Sequence, residues 1–329
     1  MNIKSSLAIL AMVILLFSCG ESEKRVLLFS KTKGYRHEAI EDGKSAFLKL
    51  ATEKGIVVDT TEDASAFTDE SLKKYKAVVF LNTTGDVLDQ YQQASFKRFI
   101  QAGGGYMGIH AAADTEYEWY WYGKLVGAYF KSHPKIQDAK FKKVKSDELV
   151  EGLPDDWMRK DELYNYKKIS KDINVLYTLD ETTYEGGENG DNHPIVWYHE
   201  FDGGRSFYTG LGHTKESYVD PQYLDHIWMG LDYVIGDSKL DYTKATTKLA
   251  PEENRFNKVV LASYFDEPTE MDILPDGRII FLERKGAVKL YDPKADSIAL
   301  INTFNVNTKF EDGMLGLAHD PDFAKNNWL

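Results

Sequence analysis

The chain has 329 residues, a formal net charge of -12 and no basic run, which argues against a nucleic-acid partner. Apolar residues make up 43%, enough for a sizeable core, and the length suggests about two domains. The single cysteine, Cys19, excludes a disulfide within the chain and excludes thiol catalysis at every other position.

Lys4 precedes an apolar run from Leu7 to Phe17. The run is too short to span a bilayer and has the form of a signal-peptide core. It ends Leu16-Phe17-Ser18-Cys19-Gly20, which is similar to a bacterial lipobox. That likeness implies lipid on Cys19 and an exported lipoprotein held at the membrane, facing the periplasm or the cell surface. The plainer alternative is a secretory signal with a chance cysteine. Residues 20–24 form a polar tether.

Arg25 to Ser30 reads as a buried strand, apolar as the middle of a parallel sheet should be. A loop carries Tyr35, Arg36 and His37. A helix is expected from Glu38 to Glu53, with Ile40, Phe47, Leu48 and Ala51 on one face, stopped by Gly55. Ile56 to Asp59 and Ala77 to Asn82 are the next strands. Leu88 to Gln101 is a second helix, with Leu88, Tyr91, Phe96 and Phe99 inward. Gly103-Gly104-Gly105 closes it, and Tyr106 to His110 follows as a strand with the small residues Ala111 to Ala113 behind it. This alternation predicts a doubly wound α/β sheet. Ligands bind such sheets at the carboxyl ends of the strands, so Ser30, Asn82 and His110 are expected on one rim.

From Thr115 the texture changes. Tyr117, Trp119, Tyr120, Trp121 and Tyr122 form a near-continuous aromatic cluster. On a helix such neighbours point all round the axis, so some line a groove that stacks sugar rings, or they pack against a second layer. Strands are expected at Phe141–Val144, Tyr164–Ile169 and Val175–Leu179. A hairpin is expected from Ile195–Phe201 and Arg205–Leu211 across Asp202-Gly203-Gly204. Arg205 either clamps a polar substrate group or pairs with the acidic loop before it. Pro221 to Ile235 is the closing helix, with Leu224, Ile227, Trp228, Leu231 and Val234 inward. Residues 238–254 read as a linker. Beyond it, Val259–Ala262, Met271–Leu274, Arg278–Glu283 and Ala287–Tyr291 read as short strands near ten residues apart, the rhythm of a propeller blade or a sandwich.

Residues 25–236 resemble the trehalose-utilisation, ThuA-like family. The likeness rests on Gly104-Gly105-Tyr106-Met107-Gly108-Ile109-His110, Gly127-Ala128-Tyr129-Phe130 with His133-Pro134, Asp161-Glu162-Leu163-Tyr164, His193-Pro194-Ile195-Val196-Trp197, and Gly204 to Tyr208 with Leu211-Gly212-His213. It implies a flavodoxin-like sheet close to the class I glutamine amidotransferases. In those enzymes a cysteine follows the equivalent strand. Here His110 ends that strand, so amidotransferase chemistry is not expected. Residues 256–329 resemble the opening of a glucose/sorbosone dehydrogenase-type β-propeller, through Leu274 to Arg278, Glu283 to Gly286, and Glu311 to Ala318 with Asp320 to Phe323. Some 75 residues are too few to close a propeller, so a fragment is expected and no pyrroloquinoline-quinone site is read from it. The expected layout is a signal at 1–19, a ThuA-like domain at 25–237 and a partial propeller at 255–329.

His110, His133 and His213 fall in the matched motifs, with Asp114 and Glu162 as nearby carboxylates. Three imidazoles and a carboxylate suit a zinc-like divalent ion with an open position. The same histidines also suit acid/base work or loop anchoring without an ion. His110 and His213 are expected to flank the reacting carbon, with Glu162 or Asp114 as base or ligand. Trp119, Tyr120, Trp121, Arg205 and His37 are candidates for substrate contact. His193, before a proline, reads as a turn residue; His199 and His226 read as structural. The family's link to trehalose and keto-sugars implies a lyase, hydrolase or isomerase step on an oxidised sugar. The alternative is a carbohydrate-binding module without catalysis, attached to a sugar dehydrogenase propeller.

Overall fold

The computed structural model describes residues 24–329, apart from 238, 250–256, 258 and 264. The signal segment and Cys19 lie outside the described residues, as does part of the expected linker. The chain divides into two compact units, Met1–Ala250 and Pro251–Leu329. Among the described residues no helix is long and apolar enough to cross a membrane.

The first unit opens with β1 (Arg25–Phe29), α1 (Ile40–Lys54) and β2 (Val57–Thr61). Then come α2 (Asp69–Leu72), β3 (Ala77–Leu81), α3 (Gln90–Gln101) and β4 (Gly105–Ile109). β3 and β4 are buried at every position, which is why their sequences are apolar runs rather than alternating ones. α1 begins two residues later than expected and ends at Gly55, whose φ of 69° is the left-handed conformation that glycine takes without a Cβ penalty. It buries Ala46, Phe47, Leu50 and Ala51. Leu48, expected on that face, is 45% exposed. α3 starts at a capping box, with Asp89 accepting from Gln92 N–H and the Gln92 side chain accepting from Asp89 N–H.

The next elements are α4 (Tyr120–Val126), β5 (Tyr129–Ser132), β6 (Gln137–Lys143), β7 (Asp156–Asp161), β8 (Asn165–Lys167) and β9 (Asn174–Leu179). The hairpin β10 (His193–Phe201) and β11 (Gly204–Thr209) and the helix α5 (Pro221–Ile235) complete the unit. The strands form one nine-stranded sheet in the order β2-β1-β3-β4-β11-β10-β9-β6-β7, with β5 and β8 paired apart from it. From β2 to β11 neighbours are parallel; from β11 to β7 they are antiparallel. The parallel half is the doubly wound sheet that the sequence implied. The strand expected at Tyr164–Ile169 contracts to β8, and β7 has no counterpart in the expectation.

Within the stretch read as a linker, Gln101 Oε1 accepts the N–H groups of Thr246 and Thr247, and the Arg98 guanidinium donates to the Thr247 carbonyl. Those residues are tied to the end of α3.

The second unit is a four-stranded antiparallel sheet, β12 (Pro268–Ile273), β13 (Ile279–Glu283), β14 (Ala287–Asp292) and β15 (Ser297–Thr303), in sequential order. This meander is the pattern of one propeller blade. Leu274, Ile280, Leu282, Val288 and Phe323 form its small core. Val259–Ala262, expected as a strand, lies outside any strand.

Candidate metal centre at the carboxyl rim of the sheet

β4 delivers His110 to the rim. The strand ends at Ile109, and His110 opens a 3-10 turn, His110–Asp114, with a backbone φ of 47°. Asn82, one residue past the end of β3, has φ 50°. Left-handed backbone in a residue with a Cβ costs on the order of 1–2 kcal/mol and persists where the surroundings enforce it. The enforcing contact at His110 is the Tyr208 hydroxyl, which donates to the His110 carbonyl at 2.7 Å. The small residue two positions before it has a steric reason as well: a Cβ at Gly108 would stand 2.7 Å from the Tyr106 hydroxyl.

Three other segments converge on the same place. The loop after β1 brings His37. The residue after β7 is Glu162. The loop after β11 brings His213, just past Gly212 at φ 108°, where a side chain would strike the Tyr223 hydroxyl. One ligand atom from each of His37, His110, Glu162 and His213 lies within 4.8 Å of the others. The three imidazoles form a near-equilateral triangle, with ring centroids 5.0–5.1 Å apart and planes at 82–87°. His110 Nε2 is 3.2 Å from His213 Nδ1, and Glu162 Oε2 is 3.3 Å from the first and 3.1 Å from the second.

These spacings suit a metal. Ligand atoms each about 2.0–2.2 Å from one ion and 3.1–3.3 Å from one another subtend roughly 100° there, between octahedral and tetrahedral values. The tautomers suit it too. His110 Nδ1 bonds the Gly210 carbonyl at 2.8 Å, so Nδ1 carries the hydrogen and Nε2 offers its lone pair inward. His37 is buried, and its Nδ1 has no hydrogen-bond partner among the described residues. Burial, then the neighbouring His110 and His213, push the His37 pKa down to about 3, which keeps one ring nitrogen's lone pair available. Burial alone would raise the Glu162 carboxyl; hydrogen bonds from His110 and His213, with their charge, outweigh it and hold the group well below the usual carboxylate range. Burial likewise opposes a proton on His213, and the Glu162 hydrogen bond and charge overcome it, raising His213. Without an ion, Glu162 and the histidines share protons; an ion would replace them.

The other expected site residues fall around this cluster or away from it. His133 follows β5 and is separate from the four converging groups; its Nδ1 lies 3.2 Å from the other Glu162 oxygen, Oε1. Asp114 closes the turn that His110 opens. Its Oδ1 accepts the Tyr117 hydroxyl at 2.6 Å, and burial raises its pKa. Trp119 and Trp121 stack on each other at 4.9 Å and both meet Phe96 edge-on. Trp121 Nε1 donates to Asp202, in the β10–β11 turn. Tyr120 is 62% exposed. Arg205 is opposite Gly105 at the start of β11 and donates to the Tyr233 carbonyl. That is the amino end of the sheet, roughly 16 Å of extended chain from Gly210 at the rim. Trp121 and Arg205 therefore belong to the opposite edge from His110. His193 opens β10 and bonds Glu181 and the Tyr164 carbonyl. His199 bonds the Leu125 carbonyl, and His226 bonds Thr209, both inside the core.

A mixed sheet with a parallel doubly wound half and a histidine-rich carboxyl rim defines the class. The chain belongs to the trehalose utilisation (ThuA) family, whose model matches residues 25–234. The glucose/sorbosone dehydrogenase model matches residues 265–329. Among solved structures, a putative ThuA-like protein from Bacteroides uniformis is similar at 24% identity, over 65% of this chain and 92% of that one, with a TM-score of 0.56. A second, from Parabacteroides merdae, is similar at 20% identity, over 69% and 92%, with a TM-score of 0.55. At these identities the likeness is one of fold. No curated protein matches the chain.

Proposed function

We propose that this chain is an exported, lipid-anchored enzyme whose ThuA domain converts an oxidised sugar, a keto-glycoside, with the help of a divalent ion. The observation that carries the reading is the buried cluster of His37, His110, His213 and Glu162 at the carboxyl rim. The two family names, trehalose utilisation and glucose/sorbosone dehydrogenase, support a carbohydrate as substrate. The lysine, apolar run and Cys19 of the leader support export and anchoring.

An ion held there supplies a Lewis acid beside the sugar ketone. The chain's own residues do the rest. His37, His110 and His213 would present ring nitrogens to the ion from three separate loops. Glu162 supplies the negative charge that a dication needs. Asp114, held by Tyr117 and raised by burial, is the carboxyl on the same turn as His110 that takes up or returns a proton at the carbon next to the ketone.

The test uses full-length protein purified without a histidine tag. Elemental analysis should give close to one divalent ion per chain, and the protein should convert a 3-keto-glycoside. His110→Ala should lose both. Binding of the sugar without conversion would identify a binding module instead. Neither ion nor turnover would end the proposal.

A further inference from the structure

The two oxygens of Glu162 do different things. Oε2 faces His110 and His213, and Oε1 faces His133 at 3.2 Å. His133 Nδ1 also bonds the Pro134 carbonyl at 2.9 Å. Both neighbours of that nitrogen are acceptors, so Nδ1 carries a hydrogen and is not itself a metal donor. That hydrogen goes to the Pro134 carbonyl, and the same edge of the ring stands 3.2 Å from Oε1. The ring is held in place by its neighbours: it lies near-parallel to Tyr164, with centroids 6.1 Å apart and planes at 25°, and it packs on Phe130 at 5.8 Å. The His133 side chain is 43% exposed, whereas that of His110 is fully buried.

A carboxylate near a dication binds through one oxygen or through both. Which it does depends on whether the second oxygen has another partner. In the geometry here the edge of the His133 ring covers the second oxygen. We infer that His133 is a positioning residue that holds Glu162 to ligation through Oε2 alone, and so keeps one place on the ion open to substrate. This rests on the ion-dependent reading above. Three imidazole nitrogens and one carboxylate oxygen fill four positions; a second carboxylate oxygen would occupy the fifth, which catalysis needs.

The experiment loads the full chain with cobalt(II) and reads its visible absorption, with azide as the probe of an open position. The wild type should bind cobalt and respond to azide. His133→Ala should still bind cobalt, but with the weaker bands of a higher coordination number and azide binding about tenfold weaker. His133→Asn, whose Nδ2 hydrogens stand where the imidazole Nδ1–H stood, should restore the wild-type spectrum. A change in packing alone would not be rescued this way. An alanine variant with wild-type spectrum and azide response would overturn the inference. So would one that fails to bind cobalt, since His133 would then be a ligand. If the wild type and every variant bind no cobalt, the ion-dependent reading itself fails and takes this inference with it.

Discussion

Asp161 is joined to His213 through the backbone: its Oδ1 accepts the His213 N–H at 3.1 Å. The same oxygen accepts the N–H of Glu162 at 2.9 Å, and Oδ2 accepts that of Gly212 at 3.0 Å. One fully buried carboxylate thus ties together the two segments that carry Glu162 and His213. Neither loop could drift without breaking a charge-assisted bond, each worth on the order of 1.5–3 kcal/mol.

Asp161→Asn tests this directly. The amide replaces one acceptor oxygen by an NH2 group, which meets backbone donors head-on. Divalent-ion affinity should fall about 10- to 100-fold, the range for loss of an outer partner at a metal site. Competition against a chromogenic chelator measures it. An unchanged affinity would mean that the loops hold their spacing without Asp161.

Tyr208→Phe should lower the melting temperature. The hydroxyl donates to the His110 carbonyl and is also 3.2 Å from the Tyr166 hydroxyl. Removing it leaves a buried carbonyl without that donor and a strained residue without its clamp. The expected cost is about 1–3 kcal/mol, or several degrees in a calorimetric scan. Ion affinity should fall as well, because His110 loses its enforced left-handed backbone. A variant with both properties intact would refute the clamp.

His226 gives a pH prediction. It is fully buried on α5, and burial, then the nearby Arg159 charge, push its pKa down to about 3. The unfolded chain protonates its histidine near 6.5 while the folded chain does not. Stability contributed by neutral His226 is therefore present above pH 6.5 and is lost as pH falls toward 3, at up to about 1.4 kcal/mol per unit. His226→Gln cannot titrate. Denaturant unfolding of both proteins from pH 7 to pH 4 should show the wild type losing stability faster. Parallel curves would exclude the linkage.

The rim was legible because its signals are local. Gly103-Gly104-Gly105 before an apolar run marks a strand, and a parallel sheet puts the residue at its end on the binding side. Glu162 and His213 lay in motifs of the family. His37 as a fourth member was harder to see: its loop follows β1, far in sequence from the others, and only the fold returns it to His110. β7 has no such signal, because two of its three buried residues are the charged Arg159 and Asp161 while the apolar Met158 is exposed, which reverses the usual alternation. The different duties of the two Glu162 oxygens have no sequence signal at all.

Arg205 and Trp121 show the opposite failure, and they carry the last prediction. A hairpin and an aromatic cluster look like ligand-binding features in one dimension. Yet β11 runs parallel to β4, so the turn before it, Asp202-Gly203, must lie at the amino edge, away from His110. Trp121 bonds Asp202 there, and Arg205 reaches the Tyr233 carbonyl at the end of α5. Both serve to fasten α4 and α5 to the sheet. Trp121→Phe loses one partly exposed hydrogen bond, and Arg205→Ala loses one bond and the guanidinium packed on Tyr233 at 5.5 Å. Each should cost about 1 kcal/mol of stability. Ion affinity and the Michaelis constant for a keto-sugar should stay within twofold of wild type for both. A tenfold rise in that constant for either variant, with the fold intact by circular dichroism, would return the amino edge to the substrate path.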